Sequence, residues 1–435
     1  MNIKNQIKIN YKFRNIFSGL EQKISHNLSL PKKRFVKQML TGILKSNSVI
    51  VRRIGQSLNE NIYLKKTSER LYRNIKEKGL DEKLRDNLLI MQSKQLNEDS
   101  LILIDPSDIM KTSSKKMEGI SRTRDGSIGE IGNGYDLLNI VGVVKQPNGN
   151  YNLLPISSEL YSKEIEIDTK AGIILDRVTD ITIHSGNKGV FIIDRGGDTR
   201  INLEAFTQND NSYIIRSMGQ RNLIVDDKEL NFKKVCKLVD LKYEIPGRKA
   251  EEEILCGMKR VKVRLSPYPK KNALKAETNL IVCRYKSITG KLGGYFYFLS
   301  NFPNKNLTER DIVERSVKFY KIRWNIEETH RQVKQDYEWE KMQLLSYQGL
   351  KTLNVLLWIV LSYVYSLKEY TFEMALAYPA LMIDSYRDFK RKFNFFVYYR
   401  IFRVVSEVFR FKRIYKKFKY KKPPSTKVIQ LELQF

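Results

Sequence analysis

Four residues in the stretch YKIRWNIEETHRQVK, namely Tyr320, Arg323, Glu327 and Lys334, stand at successive offsets of 3, 4 and 7. At about 100° per residue these positions fall within roughly 60° of one another around an α-helix. An acid flanked by a guanidinium and an ammonium on one polar stripe suits phosphate chemistry, because the carboxylate can hold a cation while its basic neighbours grip phosphate oxygens. The plainer reading is an i, i+4 surface pair between Arg323 and Glu327. Phe319, Ile322, Ile326, Val333 and Tyr337 form an apolar stripe about 90° away. Such a helix packs with one flank and presents the other.

Two more carboxylates share one situation. Asp105 follows the apolar run LILI and Asp194 follows VFII, so each closes a short strand at the end where the loops of an α/β sheet gather into a site. On neighbouring strands the pair would suit a divalent cation, since Mg²⁺ takes oxygen ligands and keeps waters for a phosphate substrate. Turn chemistry places Asp at strand ends as well, and that alternative stays open.

The elements that must position these groups follow from the patterning. Residues 1–98 read as helical and basic, with Thr67 as an N-cap for SERLYRNIKEK. That segment is either a helix-turn-helix with Arg70, Arg73 and Lys76 toward DNA, or a plain helical bundle. From Ser100 the texture is mixed α/β. The strand LILID ends at Asp105–Pro106, and 135–146 and 151–161 form a hairpin about Pro147–Asn150. Helices at 168–186 and 198–207 alternate with strands Val190–Ile193 and Ser212–Ser217. Residues of about 220–305 read as an inserted β-rich segment. Thr308 then starts a long helix to about Tyr337, and 348–368 is a buried helix, since its apolar run is shorter than the ~18 to 20 residues of a membrane span.

Composition narrows the function. The 435 residues carry 78 Lys plus Arg against 48 Asp plus Glu, a formal charge of +30. This calls for a polyanionic partner, nucleic acid before an anionic membrane. Fourteen of those cations fall between Ser385 and Lys422, interleaved with Phe and Tyr, a tract suited to nucleic-acid contact, to pairing of two protomers, or to nothing beyond a solvated face. Cys236, Cys256 and Cys283 lack metal spacing or any CxxC, which excludes a zinc site and a disulfide framework. The start MNIKNQIKINYKFRN has no apolar signal region, so a cytoplasmic protein is expected. His26, His184 and His330 are scattered, and His330, beside Glu327 but about 300° further round the helix, is expected to be solvated or to touch a phosphate rather than to act as a base.

The spacing Y-x₂-R-x₃-E-x₆-K resembles the signature of the insertion-sequence-four family of bacterial DDE transposases, with Tyr320, Arg323, Glu327 and Lys334 filling it. ILIDPSD resembles that family's first aspartate block and IIDRGGD its second, with Arg195 and Asp198 supporting Asp194. The resemblance covers residues of about 100–370. It implies an α/β protein with an RNase H-like catalytic core at 99–370, an inserted β-rich subdomain, a helical end-binding region at 1–98 and a basic aromatic region at 371–435. It implies two Mg²⁺ ions, replaceable by Mn²⁺, on Asp105, Asp194 and Glu327, and DNA contacts from Tyr320, Arg323, Lys334, Arg216 and Arg221. Phe296 is either a platform for an extruded base or ordinary core. The implied activity is transposition: a nucleoid-associated enzyme that binds the terminal inverted repeats of double-stranded DNA as a homodimer, cuts them, and joins the 3′-hydroxyl ends to target DNA. A nuclease without strand transfer and a non-catalytic DNA-binding protein are the alternatives.

Overall fold

A computed structural model describes residues 3–112, 114, 116–126, 129–146, 151–165, 170–247, 252–265, 275–287, 289–303, 306–382 and 396–419. Among these, twelve strands form one mixed sheet. At its centre lie β1 (Leu101–Met110), β3 (Ile131–Lys145), β4 (Tyr151–Tyr161), β5 (Val190–Ile193) and β6 (Ser212–Ser217), in the spatial order β4-β3-β1-β5-β6. β3 runs antiparallel to both β4 and β1, whereas β5 and β6 run parallel to β1. The short strand β2 (Ser121–Arg124) pairs with the first residues of β3.

The β-rich residues of about 220–305 do not form a sheet of their own. β7 (Asn222–Val225), β8 (Lys228–Asn231), β9 (Tyr243–Pro246), β10 (Glu252–Arg264), β11 (Lys275–Ser287) and β12 (Leu292–Asn301) extend the same sheet, joined to it by antiparallel pairing of β12 with β6. β6 would otherwise be an edge, and pairing satisfies its backbone groups.

Strand alternation divides the interior into two cores. Leu101, Leu103, Val190, Ile192 and Ile214 face one of them. Helices α1 (Ile3–Ile24), α2 (Leu30–Ser46), α3 (Val51–Leu58), α4 (Leu64–Ile75) and α5 (Leu80–Ser93) contribute to this core, together with the later helices. Ile102, Ile104, Phe191, Ile193 and Ile215 face the other, beneath α6 (Lys170–Ser185), α7 (Arg200–Gln208) and the short α8 (Phe232–Cys236).

Four expectations change. β1 does not stop at Asp105–Pro106 but pairs with β3 as far as Met110–Gly134, while its pairing with β5 ends at Ile104. Beyond Ile104 the strand has a partner on one side only, where proline is tolerated. Thr67 is not an N-cap: α4 starts at Leu64, and the buried Thr67 hydroxyl donates to Glu60 Oε2 at 2.9 Å. Arg70, expected toward DNA, also binds Glu60 at 2.8 Å, whereas Arg73 and Lys76 are exposed. The long helix is broken into α9 (Glu309–Ile322) and α10 (Trp324–Asp336), with Thr308 and Asp311 forming the capping box at its start. Tight i→i+3 bonds on either side of Arg323 make the break.

α11 (Tyr347–Ser366) has the length and composition of a membrane span, but its apolar window is 89% buried inside the fold. It is followed by α12 (Thr371–Ala377), α13 (Pro379–Met382) and α14 (Phe396–Lys419). The aromatics of α14 were expected to serve a partner, yet Tyr398, Phe402 and Phe409 are buried, Phe402 against Tyr337 and Phe409 against Phe17. Their helical spacing lays them on an apolar face. The rest of the basic tract, at 385–395 and 420–422, lies outside the described residues.

Replacing the fully buried Leu356 with Ala is expected to cost about 2–5 kcal/mol in urea unfolding. Replacing the half-exposed Leu376 should stay within about 0.5 kcal/mol. Burial also pushes the Asp336 carboxyl up to about 6, with Gln332 and Arg403 opposing. The folded chain then keeps a proton that the unfolded chain loses above its ordinary value of 3.8, so stability falls as pH rises between the two. Asp336→Asn is expected to raise Tm at about pH 7.5 and to leave it unchanged at about pH 3.5.

Candidate active site

The register builds the site. Ile104 pairs with Ile193, so the next residues, Asp105 and Asp194, stand side by side at the end of two parallel strands. Both follow the alternation of Leu101, Leu103, Val190 and Ile192 and project to the face covered by α10. Asp194 caps the turn Arg195–Gly197, its Oδ1 accepting from Gly196 N at 2.9 Å. Asp105 is buried.

Arg323, at the break between α9 and α10, connects the carboxylates. Its Nη1 donates to Asp105 Oδ1 at 2.9 Å and its Nη2 to Glu327 Oε1. Burial works against its charge, but Asp105, Tyr320, Glu327 and Asp194 more than offset that and hold the guanidinium above its ordinary value. The site thus gathers three acids around one base, with Asp105 inside and Glu327 at the exposed rim.

Lys334 lies further along α10, 3.4 Å from Asp108 Oδ2 and 3.1 Å from Glu340 Oε1. Burial opposes its charge and Asp108 and Glu340 restore it. Asp108, absent from the sequence reading, also accepts from Gly126 N at 2.9 Å. The spacing DPSD was its only sequence signal.

On the same face, the Arg216 guanidinium lies 5.8 Å from the Tyr320 ring and 5.9 Å from the Phe296 ring. With Tyr285, Phe298 and Lys321 they line a cavity of about 100 Å³. Phe296 is buried at its wall, 4.8 Å from Tyr285 and 5.7 Å from Phe298 between ring centroids. Arg221 is engaged elsewhere: its Nη2 pairs with Asp198 Oδ1, while Asp198 Oδ2 accepts from Ser217 Oγ and Met218 N, each at 2.8 Å. Those bonds tie the loop after β5 to the end of β6. Arg195 is exposed.

His330 departs most from expectation. It is largely covered rather than solvated, its side chain 12% exposed, with Nδ1 3.6 Å from Asp105 Oδ2. Burial, then the charges of Lys334 and Arg323, push it down to about 3, so it is neutral at ordinary pH. Angular position on an isolated helix missed this, because β1 and β3 pass beneath α10 and cover that flank.

The donor chemistry of Asp105, Asp194 and Glu327 fits a hard divalent cation. Among the described residues, however, no three acids, histidines or cysteines already surround one point, and two of these acids are bridged by Arg323. A cation there would replace the guanidinium as their counter-charge.

No family model and no curated protein matches the chain. Among solved structures, it is similar to a chain described as the cryo-EM structure of piggyBac transposase synaptic complex with hairpin DNA. The identity is 11% and the TM-score 0.41, with 95% of this chain and 80% of that one covered. A likeness this distant carries no functional argument, and the site speaks through its own geometry.

Gly197 is buried where a Cβ would land inside the Ile193 side chain, immediately before Asp194. Gly197→Ala is expected to cost about 1–3 kcal/mol, read by urea unfolding.

Proposed function

We propose that the chain is a DDE-type transposase that cuts double-stranded DNA at the ends of a mobile element and transfers the 3′-hydroxyl ends to target DNA. The observation that carries this reading is the joining of Asp105 and Glu327 through Arg323, with Asp194 on the adjoining strand. The central strand order supports an RNase H-like core: three antiparallel strands, then two parallel to the first. The motif spacing and the charge of +30 support a DNA substrate.

Asp105, Asp194 and Glu327 are the proposed ligands of two Mg²⁺ ions, for which Mn²⁺ can substitute. Bound there, such ions supply a lowered pKa for an attacking water or 3′-hydroxyl and neutralise charge on the leaving oxygen. The chain's own residues do the rest. The planar Arg323 fork binds carboxylate and phosphate alike, so once released from Asp105 it is free to take a scissile phosphate oxygen. Tyr320 stacks beside it and limits its swing, with the guanidinium carbon 5.7 Å from the ring centroid. Lys334, restrained by Asp108 and Glu340, offers an ammonium to the strand beyond, and Arg216 does so from β6. Binding two element ends at once calls for two copies of the chain, and a DNA substrate places the enzyme in the cytoplasm.

The test is cleavage of DNA carrying the element's own ends by purified protein with Mg²⁺ or Mn²⁺, beside Glu327→Gln. The parent should generate metal-dependent 3′-hydroxyl ends and join them to a second duplex. The variant should be slower by at least about 100-fold while keeping salt-sensitive DNA binding. Equal cleavage by both proteins would remove Glu327 from the mechanism. Cleavage without joining would mark a nuclease, and binding alone a non-catalytic DNA-binding protein.

A further inference from the structure

Four polar side chains run in line behind Asp105, three of them buried and His330 largely so, and the chemistry above uses none of them. They come from four elements: His330 on α10, Asn139 on β3, Ser158 on β4 and Asn354 on α11. Asn354 Nδ2 donates to Ser158 Oγ at 2.9 Å and to the Ser158 carbonyl at 3.1 Å. Ser158 Oγ donates to Asn139 Oδ1, which turns the Asn139 amide so that its Nδ2 faces His330 Nε2 at 2.9 Å. An amide nitrogen only donates, so Nε2 accepts. A neutral imidazole has one N–H, and here it must lie on Nδ1, the atom 3.6 Å from Asp105 Oδ2. Ser158 Oγ also lies 3.2 Å from Asn354 Oδ1, and with its proton on the shorter contact to Asn139 the line ends on the carboxylate of Asp105.

We propose that His330 is a positioning residue for Asp105, its ring oriented by Asn139, Ser158 and Asn354 so that Nδ1–H holds the second carboxylate oxygen. This rests on the proposed role of Asp105 as a cation ligand. While Arg323 holds Oδ1, the 3.6 Å separation is longer than a hydrogen bond and the ring contributes a dipole. When Arg323 leaves for a phosphate, the carboxylate closes onto Nδ1–H and keeps its aim. Buried polar groups of this kind cost stability unless all are satisfied, and a chain ending at a working carboxylate accounts for their presence inside an apolar layer.

Mn²⁺ affinity of the full chain without DNA is the readout, measured by titration followed by electron paramagnetic resonance of free Mn²⁺. The proteins compared are the parent, Asp105→Asn, His330→Phe, His330→Asn and Asn139→Leu. His330→Phe and Asn139→Leu should each weaken Mn²⁺ binding by about 10- to 100-fold. Their double variant should be no weaker than His330→Phe alone, and His330→Asn, which keeps an N–H near Nδ1, should recover most of the loss. DNA binding in chelator should be unchanged throughout. Should His330→Phe fail to fold, Asn139→Leu and His330→Asn still decide the matter. Parent-like Mn²⁺ affinity in Asn139→Leu and His330→Phe, with Asp105→Asn defective, would overturn the positioning role alone. If Asp105→Asn binds Mn²⁺ as the parent does, the cation-ligand reading falls and takes this proposal with it.

Discussion

Three carboxylates brought toward one point repel one another, and the site exists in this form because Arg323 stands among them. Its guanidinium reaches Asp105 from β1 and Glu327 from α10 and feels Asp194 beside them. The placement depends on the break in the helix. An unbroken helix would carry Tyr320, Arg323, Glu327 and Lys334 as one stripe. The tight turn at Arg323 separates Tyr320 from the two residues beyond it and leaves Arg323 at the junction, where it reaches both a strand and the helix that follows.

Much of this architecture was legible in the residues. Asp105 and Asp194 at strand ends, the β3–β4 hairpin, the strands of 220–305 and the buried α11 all follow from apolar runs and turn residues, whereas the adjacency of the two aspartates comes from the pairing of β1 with β5. Their periodicities are local, and local signals survive without knowledge of the partner. What escaped depends on partners outside the helix or strand being read. Thr67 and Arg70 meet Glu60, Arg221 meets Asp198, and His330 meets Asn139 from a strand almost two hundred residues earlier. Whether a polar residue faces water or another polar residue is decided by the element laid over it, which the spacing of one helix does not contain.

The continuity of the sheet gives the β-rich residues a direct hold on the site. β12 pairs with β6 so that Phe298 stands opposite Arg216, and Phe296 and Phe298 project to the face that carries Asp105 and Asp194. The walls of the aromatic cavity and the carboxylates are thus fixed by one hydrogen-bonded ladder. A shift of register by one residue along β12 would turn those rings to the opposite face.

α11 bears on how the chain is made. Its Ser362 accepts from Gln92 and its Tyr363 hydroxyl donates to the carbonyl of Phe13, while Gln6 donates to the carbonyl of Ala377. Helix α1 thus meets some of its packing partners only some 350 residues further along the chain. Until residues 347–366 have been synthesised, the parts of α1, α2 and α5 that pack on α11 lack their native cover. Domains usually fold from the N-terminus as they emerge; here α1 has to wait for α11 and α12, and the helical layer they share is completed only after the sheet.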